Sequence, residues 1–328
     1  MSERIAVITT SYPRAPGDAS GHFVASEVRE LVRAGHDVQV IAPGFGGFAE
    51  PGARVHWLGD RGAFGWPGAV TRLRENPLRA FGVAEFVLRA ERALRGERPC
   101  TRVHAHFLLP SAWPIATRGV GRDANCELDL IGHGSDVRLF CRLPKQLRKR
   151  IARAWLLRRA RLRVTSSELQ RLLGAANPEL LSSIFVKPAA LDLQGVPSRA
   201  RARRELGLID GAKIALIVAR LIPEKRVQVA LRALALQHET SAIVVGDGPE
   251  LDALRREFPR VRFVGRVPRQ QALAFIAAAD VLVSASAHEG APSVVREARA
   301  LGVPVVAVAA GDLRQWAERD AGIWLARG

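Results

Sequence analysis

Two glutamates frame a turn in the segment HEGAPSVVREA at residues 288–298. Glu289 precedes a Gly-Ala-Pro turn, and Glu297 follows it eight positions after the first glutamate. Pro292 is typical of a first helical turn, because proline has no N–H to satisfy and its φ angle is preset. The pattern therefore predicts a helix that runs from this turn to about Leu301, with one carboxylate in the loop before it and the other in its second turn, beside the apolar stripe.

The start of such a helix can bind an anion. Its first N–H groups, near Ser293 and Val294, have no partner within the helix, and the helix dipole favours a negative charge there. Carboxylates on either side can accept hydrogen bonds from hydroxyl groups. A nucleotide sugar has this polarity, with a diphosphate between two hydroxyl-bearing sugars. The alternative is an ordinary strand-to-helix connection with two surface glutamates.

Alternating strand-like and helical patterns must position this segment. Strand-like runs such as RIAVITT, DVQVIAP, RVHAHF and ELDLIGH alternate with helical patterns in the first half, and AKIALIVARL, SAIVVGDGP, VRFVGRV and DVLVSAS do so in the second. This predicts two Rossmann-like α/β domains with parallel sheets, at residues 1–192 and 193–328, joined near DLQGVPS. Ligands of such sheets bind beyond the carboxyl ends of the strands, so we expect the two domains to face a cleft there.

Composition excludes several classes of protein. The 328 residues contain no apolar run of 18, which argues against a membrane span, and the first apolar run is too short for a signal peptide. Three scattered cysteines without metal-ligand spacing are typical of a reducing cytoplasm. We therefore expect a cytoplasmic protein.

A basic stretch accounts for part of the net charge of +17. The segment RLPKQLRKRIARAWLLRRARLR at residues 142–163 contains no acidic residue and can form a helix. One face carries apolar side chains, with basic ones largely around it: Leu147, Ile151, Ala154 and Trp155, then Lys145, Arg148, Lys149 and Arg153. Such helices bind anionic membrane surfaces, so we expect peripheral association with the inner face of the cell membrane; the alternative is a solvated arginine face.

The segments together resemble one enzyme family over nearly the whole chain. HEGAPSVVREA is similar to the E-x7-E motif of the family 4 retaining glycosyltransferases, which are glycogen-synthase-like enzymes of the GT-B fold. ARLIPEKR at 219–226 resembles their G-R-L-x-x-x-K-G segment, and VVGDGPE, FVGRVP and ADVLVSASAHEG follow in the family's order. In the first half SGHFVASEVRELVRAGHDVQVIAP, VHAHF and HGSD also have counterparts.

The resemblance implies a role for each matching residue. Arg220 and Lys225 would hold the donor diphosphate, where fixed cations stabilise the charge that develops on the leaving group. Glu289 would contact the donor sugar, Glu297 the ribose hydroxyls, and His133 would lie near the sugar. The backbone contacts to sugar and phosphate would come from the first turn and its loop: Gly290, Ala291, Ser293 and Val294. Gly21 would let the backbone approach the phosphate, although a plain glycine at a helix start is an equal alternative.

The resemblance also implies a reaction. The family retains the anomeric configuration without an established enzymic nucleophile, and the leaving phosphate is thought to help deprotonate the acceptor. A UDP- or GDP-linked donor and a polysaccharide, lipid-linked or other glycan acceptor would be the substrates, with no metal and no cofactor. His104 and His106 share one face of a strand, but no third ligand is evident for a metal. Asp136 has the position of a residue that caps or orients the HGSD loop.

The sequence departs from the family pattern at several positions. AALD at 189–192 stands where the family has an Asn-Gly-Val-Asp-like hinge, Arg226 stands where a glycine follows the lysine, and Ala310-Gly311 replaces a Gly-Gly pair. The chain stops soon after AGIWLARG, so the carboxy-terminal crossover helices are expected to be missing or shortened.

Three other functions compete with glycosyl transfer. A GT-B protein that binds nucleotide or sugar without catalysis would carry the same anchors. The sequence pI of about 11.3 suggests nucleic-acid binding, but the basic residues are not interleaved with stacking aromatics, and we expect no specific nucleic-acid partner. A dinucleotide-dependent oxidoreductase would need a G-x-G-x-x-G after a strand, which the chain lacks.

Overall fold

The chain forms two compact units, Met1–Ala190 and Leu191–Gly328. The computed structural model describes residues 2–18, 20–65, 68–96, 99–120, 125–209, 211–237 and 239–326. Within these ranges, no helix combines the length and the apolar character that crossing a bilayer requires. The units are referred to below as the amino-terminal and the carboxy-terminal unit.

The amino-terminal unit is built on a seven-stranded parallel sheet in the order β3-β2-β1-β4-β5-β6-β7. Its strands are β1 Arg4–Ile8, β2 Asp37–Pro43, β3 Ala53–Leu58, β4 Arg102–His106, β5 Glu127–Gly132, β6 Arg161–Val164 and β7 Ile184–Val186. Its helices are α1 His22–Arg33, α2 Ala69–Glu75, α3 Ala80–Leu94, α4 Thr117–Gly119, α5 Ser135–Arg142, α6 Lys145–Leu157 and α7 Ser167–Ala176. An irregular helical segment, Leu108–Ala116, follows β4.

Apolar side chains cover both faces of this sheet. Val24 and Val28 of α1 pack with Val38 and Val40 of β2 in one cluster. A larger cluster holds the buried side chains of the other helices, including Phe86 of α3 and Trp155 of α6. The helices α3 and α6 therefore belong to one layer, and their outer faces are turned to solvent on the same side of the unit.

The carboxy-terminal unit contains a six-stranded parallel sheet in the order β10-β9-β8-β11-β12-β13. Its strands are β8 Lys213–Val218, β9 Thr240–Val245, β10 Arg262–Gly265, β11 Val281–Ser284, β12 Val305–Val308 and β13 Ile323–Ala326. Its helices are α8 Arg199–Glu205, α9 Val227–Leu234, α10 Leu251–Glu257, α11 Arg269–Ala278, α12 Ser293–Ala300 and α13 Leu313–Ala317. The two parallel sheets confirm the predicted α/β fold class.

Three of the strands, β3, β7 and β13, were not predicted from the sequence. All three form sheet edges. The strand β3 alternates apolar and polar residues, whereas β7 and β13 are apolar runs of three and four residues, and runs this short are ambiguous by periodicity alone. Trp324 of β13 is 56% exposed, which shows how little apolar burial this edge requires.

Each sheet reverses its direction of growth at one pair of adjacent strands. In the amino-terminal unit this pair is β1 and β4, and in the carboxy-terminal unit it is β8 and β11. The connections that leave two such strands run to opposite faces of the sheet, which opens a crevice at their carboxyl ends. The predicted site residues lie close to these two positions.

Candidate functional site

The loops after β8 and β11 bring together two residues that are 64 positions apart in the chain. Because β8 and β11 are hydrogen-bonded neighbours, Lys225 and Glu289 lie on adjacent loops. The Lys225 Nζ atom donates to Glu289 Oε1 at 2.6 Å. The side chains are 20% and 11% exposed, so the pair is largely shielded from water yet open on one side. The Ala287 N–H also donates to the Glu224 carbonyl and ties the two loops together.

Arg220 adds a second cation to this pair. Burial lowers the pKa of its guanidinium, and the Glu289 and Glu224 carboxylates oppose that shift. A small cavity beside the cluster is lined in part by Lys225, Ser286, Glu289 and Val294. The two cations are thus balanced by the carboxylates of Glu289 and Glu224, and an anionic ligand that displaced Glu289 would be attracted by both cations.

The helix α12 begins directly after the loop that carries Glu289. Pro292 is its N-cap and Ser293–Ala300 are helical, as the sequence predicts to within one residue at the end. Gly290 is buried, and Ala291, Ser293 and Val294 are half-buried. The structure thus brings the predicted backbone donors to the same loop and first turn as Glu289.

Glu297 lies deeper in the protein than the sequence indicates. It is 4% exposed and belongs to the buried face of α12 rather than to its border. The Arg269 Nη1 atom donates to Glu297 Oε1 at 3.0 Å, and Arg269 Nη2 donates to the Asp192 carbonyl at 3.2 Å. No motif in the sequence marks Arg269 as the partner of Glu297, because Arg269 starts a different helix 28 positions away.

The structure shows the backbone conformation at two positions where the sequence departs from the family pattern, the Ala310-Gly311 pair and Arg226. Gly311 has a φ of +61°, and a Cβ atom there would lie 2.6 Å from the Gly290 carbonyl oxygen. This turn therefore supports the loop of Glu289 and Gly290 through a backbone approach that only glycine permits. Arg226 has a φ of +50° at the end of the short helix Pro223–Lys225, so a side chain occupies a left-handed position that favours glycine.

Gly21 lies at the switch point of the other unit. It is the N-cap of α1, with a φ of +64°, and a Cβ atom there would lie 2.2 Å from the Ser11 carbonyl oxygen. Packing against the loop after β1 thus accounts for a glycine at this position. Its predicted approach to a phosphate stays a prediction.

His133 follows β5 and is held by a hydrogen-bonded loop. The Asp136 Oδ1 atom accepts from the N–H groups of His133 at 3.0 Å and Gly134 at 2.9 Å, and Asp136 Oδ2 accepts from the Leu108 N–H at 2.8 Å. Asp136 therefore orients the loop, which is one of the roles that its position indicates. The half-buried His133 ring packs against Phe107, whose backbone has a φ of +75°.

His133 also belongs to a buried network that the sequence did not reveal. Its Nε2 atom lies 3.1 Å from His106 Nδ1, and His106 Nε2 lies 3.5 Å from Glu27 Oε1. The same Glu27 oxygen lies 2.8 Å from His104 Nδ1, while Arg163 donates to the other oxygen. The available signal was the position of Glu27 within the apolar spacing of Val24, Val28 and Leu31, where a carboxylate is out of place.

The network fixes the charges of its members. Although burial acts in the opposite direction, His106, His104 and Arg163 hold the pKa of Glu27 well below its usual range. Burial, with His106 and Arg163, lowers the pKa of His133, and burial lowers that of His106 despite Glu27. Hydrogen bonds to Asp129 and Glu27 outweigh burial and raise the pKa of His104. Across the residues that the structure describes, no three His, Cys, Asp or Glu side chains are grouped so as to hold a metal ion.

The basic stretch forms a shorter helix than its composition indicates. The helix α6 ends at Leu157, and Arg161 and Arg163 lie in β6, where they pair with Asp129 and Glu27. Arg148 donates to the carbonyls of Cys141 at 2.9 Å and Leu143 at 2.8 Å. Including Arg148 among the membrane-facing cations is therefore wrong, because its guanidinium satisfies carbonyls at the end of α5.

The outer face of α6 retains a set of exposed cations. Its exposed basic residues, with the one that ends α5, are Arg142, Lys145, Lys149, Arg150 and Arg153. On α3 and the turn before it, in the same layer, Leu78, Phe81 and Leu88 are 70%, 68% and 66% exposed. This layer thus presents both a cationic stripe and an apolar stripe to solvent.

Comparisons with known proteins agree with this geometry. Residues 198–327 match the family model described as glycosyl transferases group 1. The chain is 30% identical over 326 residues to a GDP-mannose-dependent alpha-mannosyltransferase of Mycolicibacterium smegmatis, covering 95% of this chain and 81% of the relative. It is 29% identical over 336 residues to a putative teichuronic acid biosynthesis glycosyltransferase of Bacillus subtilis, with coverages of 94% and 81%. HepE of Anabaena, solved with UDP and glucose, superposes with a TM-score of 0.71 at 18% identity, covering 99% of this chain and 85% of that one, which shows a shared fold.

Proposed function

The chain belongs to the group 1 glycosyl transferases, and from this premise we propose a retaining, metal-independent sugar transfer. The donor is a nucleotide diphosphate sugar, and the acceptor is a hydroxyl of a polysaccharide, a lipid-linked glycan or another glycan. The observation that carries the proposal is the Lys225–Glu289 ion pair, which lies beside Arg220 where β8 and β11 end.

When the donor binds, its diphosphate replaces Glu289 as the partner of Lys225. Lys225 and Arg220 bind the diphosphate, and Glu289 is released to accept hydrogen bonds from the sugar hydroxyls. The first turn of α12 adds N–H groups of Ser293 and Val294, together with the positive end of its dipole. Glu297, held by Arg269, binds the ribose hydroxyls with the carboxylate already desolvated. His133 contacts the sugar, as the family resemblance implies.

The transfer step needs charge stabilisation more than a nucleophile. When the bond between the anomeric carbon and the phosphate oxygen breaks, negative charge develops on the diphosphate and positive charge on the sugar ring. Fixed cations stabilise the former, and a carboxylate on the sugar side stabilises the latter. The acceptor hydroxyl forms the new bond on the face that the phosphate leaves, and its proton passes to that phosphate. The anomeric configuration is retained.

The relatives support the substrate classes. The mycobacterial relative is described as GDP-mannose-dependent, and the structural neighbour from Anabaena was solved with UDP and glucose. The Bacillus relative is described as a glycosyltransferase of teichuronic acid biosynthesis, which supports a polysaccharide acceptor.

A thermal-shift screen followed by a transfer assay tests the proposal. We expect either UDP- or GDP-sugars, but not both sets equally, to raise the melting temperature, since a ligand stabilises the state that binds it. With that donor, Glu289→Gln should lower kcat by roughly 100- to 1,000-fold, as removal of a group that stabilises the transition state does. The variant should keep its affinity for the free nucleoside diphosphate. Glu318→Gln, at an exposed position of the same unit, is the matched control.

Two outcomes would contradict this function. Nucleotide binding without turnover by the wild type, with all acceptors tried, favours the non-catalytic sugar-binding protein. An inverted product, detected by NMR of the anomeric proton, would exclude the retaining mechanism.

The layer of α3 and α6 supports a membrane-bound acceptor. Exposed cations of α6 complement an anionic lipid surface, and Leu78, Phe81 and Leu88 can enter the headgroup region beside it. Each near-surface cation contributes about 1 kcal/mol, so three of them correspond to about 100-fold in partitioning. We therefore include an anionic membrane surface among the partners.

Sedimentation with phosphatidylglycerol vesicles tests this partner. The triple variant Lys149→Gln, Arg150→Gln, Arg153→Gln leaves the structural Arg148 intact and should partition up to about 100-fold more weakly. The control triple variant Arg256→Gln, Arg260→Gln, Arg319→Gln removes three exposed cations from the carboxy-terminal unit. Equal losses in the two variants would show that net charge alone drives binding, and no loss in the first would exclude the surface.

A further inference from the structure

A line of polar contacts leads from helix α1 through β4 to the imidazole of His133. We propose that Glu27 and His106 are positioning residues that keep the His133 proton on Nε2, so that Nδ1 is the hydrogen-bond acceptor offered to a substrate hydroxyl. The inference rests on the proposed function, which places His133 next to the sugar. It goes beyond that function because it assigns the chemical role of the ring and names the residues that set it.

The first step is the charge of Glu27. Arg163 donates to one carboxylate oxygen, and His104 Nδ1 lies 2.8 Å from the other. Both partners favour the ionised carboxylate, which agrees with the lowered pKa of Glu27. Glu27 is thus a fixed negative charge within the unit.

The second step is the tautomer of His106. Its Nε2 atom lies 3.5 Å from Glu27 Oε1, an electrostatic contact rather than a short hydrogen bond. An N–H group is attracted to a carboxylate, whereas a nitrogen lone pair is repelled by it. The His106 ring is fully buried, so this interaction acts with little screening by water. His106 therefore carries its proton on Nε2 and leaves Nδ1 as an acceptor.

The third step transfers this preference to His133. His106 Nδ1 and His133 Nε2 are 3.1 Å apart, and one of the two must donate. Since His106 Nδ1 is the acceptor, His133 donates from Nε2 and its own Nδ1 holds the lone pair. The rings of Phe23 and Phe107, with centroids 4.6 Å and 4.8 Å from that of His133, hold the imidazole in place.

The remaining charged groups near these rings do not change the assignment. Asp129 Oδ2 lies 3.4 Å from His104 Nε2, and Arg161 donates to both oxygens of this carboxylate. Asp136 accepts from the backbone N–H of His133 and its neighbours, not from the ring. The backbone strain at Phe107, which packs on His133, is typical of a functional position.

This tautomer limits what the His133 ring can do chemically. A neutral imidazole with its lone pair on Nδ1 accepts a hydrogen bond from a hydroxyl. It cannot donate from that atom, and it cannot act as a cation toward the diphosphate. His133 would therefore recognise a hydroxyl donor on the sugar or the acceptor.

Nitrogen NMR of the protein labelled with ¹⁵N-histidine reads the tautomer directly. The two ring nitrogens of His133 should show a protonated Nε2 and an unprotonated Nδ1 in the wild type at pH 7.5. A protonated Nδ1 would overturn the proposal. The wild-type spectrum decides this point by itself, so the test stands even where a variant fails to fold.

Glu27→Gln should invert the tautomers. Arg163 retains the amide oxygen, so the amide NH2 group takes the place of Glu27 Oε1 and faces His106 Nε2. His106 must then move its proton to Nδ1, and His133 must move its proton from Nε2 to Nδ1. His104→Gln is the matched control, because His104 contacts the same carboxylate but not His133. It should leave the His133 tautomer unchanged, whereas an unchanged tautomer in a folded Glu27→Gln chain would overturn the proposal.

Kinetics separate this inference from the proposed function. With the donor found in the thermal-shift screen, Glu27→Gln should lower kcat by 10-fold or more and leave the KM for the donor within about threefold. If the wild type shows no transfer but the tautomers behave as described, the proposed function fails and the positioning role stands. If transfer is normal and the tautomer is the opposite one, only the positioning role fails.

Discussion

The two switch points of the molecule carry charge in different ways. At β8 and β11 the charged groups are on loops, and the Lys225–Glu289 pair is open to solvent on one side. At β1 and β4 they are on the elements themselves, with Glu27 on α1 and His106 within β4, and the His106 side chain is fully buried. The first arrangement can exchange one partner for a ligand, whereas the charged groups of the second are paired with one another away from solvent.

This difference indicates how one fold can both bind a ligand and hold a side chain in a fixed state. An ion pair that borders a cavity can exchange a partner, because an incoming charged ligand can replace the partner that is lost. A buried network cannot rearrange without leaving a charge unpaired, so it holds its members in one state. We infer that the carboxy-terminal unit supplies adaptable contacts, and the amino-terminal unit supplies one fixed imidazole.

The buried Arg269–Glu297 pair is the exception in the carboxy-terminal unit, and its loss should have the largest effect. Arg269→Met leaves Glu297 buried without its cation, which should reduce the free energy of unfolding by about 3 kcal/mol. Urea denaturation measures this change. Adding Glu297→Gln to Arg269→Met should recover most of the loss, because no unpaired charge remains. A single variant as stable as the wild type would show that Glu297 is not held by charge.

The loop-borne pair should matter for binding more than for stability. Lys225→Ala should weaken nucleoside diphosphate binding by about 100-fold, since truncating one partner of a charged contact costs about 2–5 kcal/mol. Calorimetric titration with UDP and GDP measures the affinity. The urea unfolding midpoint of Lys225→Ala should fall less than that of Arg269→Met, because Arg220 remains near Glu289. A large loss of stability with intact binding would reverse the contrast between the two switch points.

Mild acid should weaken the amino-terminal network first. The pKa values of His106 and His133 are lowered by burial, so the unfolded chain binds protons that the folded chain does not as the pH falls below about 6.5. Stability present above that pH is then lost, by about 1.4 kcal/mol per pH unit for each such histidine. The raised pKa of His104 opposes part of this loss.

Hydrogen exchange followed by mass spectrometry measures the acid effect in each unit. After correction for intrinsic rates, lowering the pH from 7.5 to 5.5 should reduce protection in β4 and α1 more than in β8 and β11. Equal changes in both sheets would contradict the assignment of buried neutral histidines.

The smallest expected effect concerns backbone strain at Arg226. Replacing it by glycine removes a left-handed cost of about 1–2 kcal/mol and adds unfolded-state entropy of about 0.4–1 kcal/mol, so stability should rise by about 0.5–1 kcal/mol. Arg159→Gly, at a φ of +49° in the amino-terminal unit, should raise the free energy of unfolding by a similar amount. Arg255→Gly within α10 should lose about 1 kcal/mol instead. Urea midpoints rank the three variants.

Much of the fold could be predicted from the chain alone. Buried parallel strands are continuous apolar runs, so β1, β2, β8 and β11 are visible as such, and the proline at 292 marks the start of α12. The edge strands β3, β7 and β13 could not be found in this way, because β3 mixes polar and apolar residues and the apolar runs of β7 and β13 are only three and four residues long.

The sequence by itself determined which groups are present and which loop each one follows. It indicated that Arg220, Lys225 and Glu289 follow buried strands, and that His133 ends another. Only the tertiary structure decided which groups meet. Lys225 reaches Glu289 because β8 and β11 are adjacent in the sheet, and Glu27 reaches His106 because β4 is the neighbour of β1, whose face α1 covers. Spacing along a chain fixes the faces of helices and strands, but neighbours across a sheet are set by strand order, which local spacing does not encode.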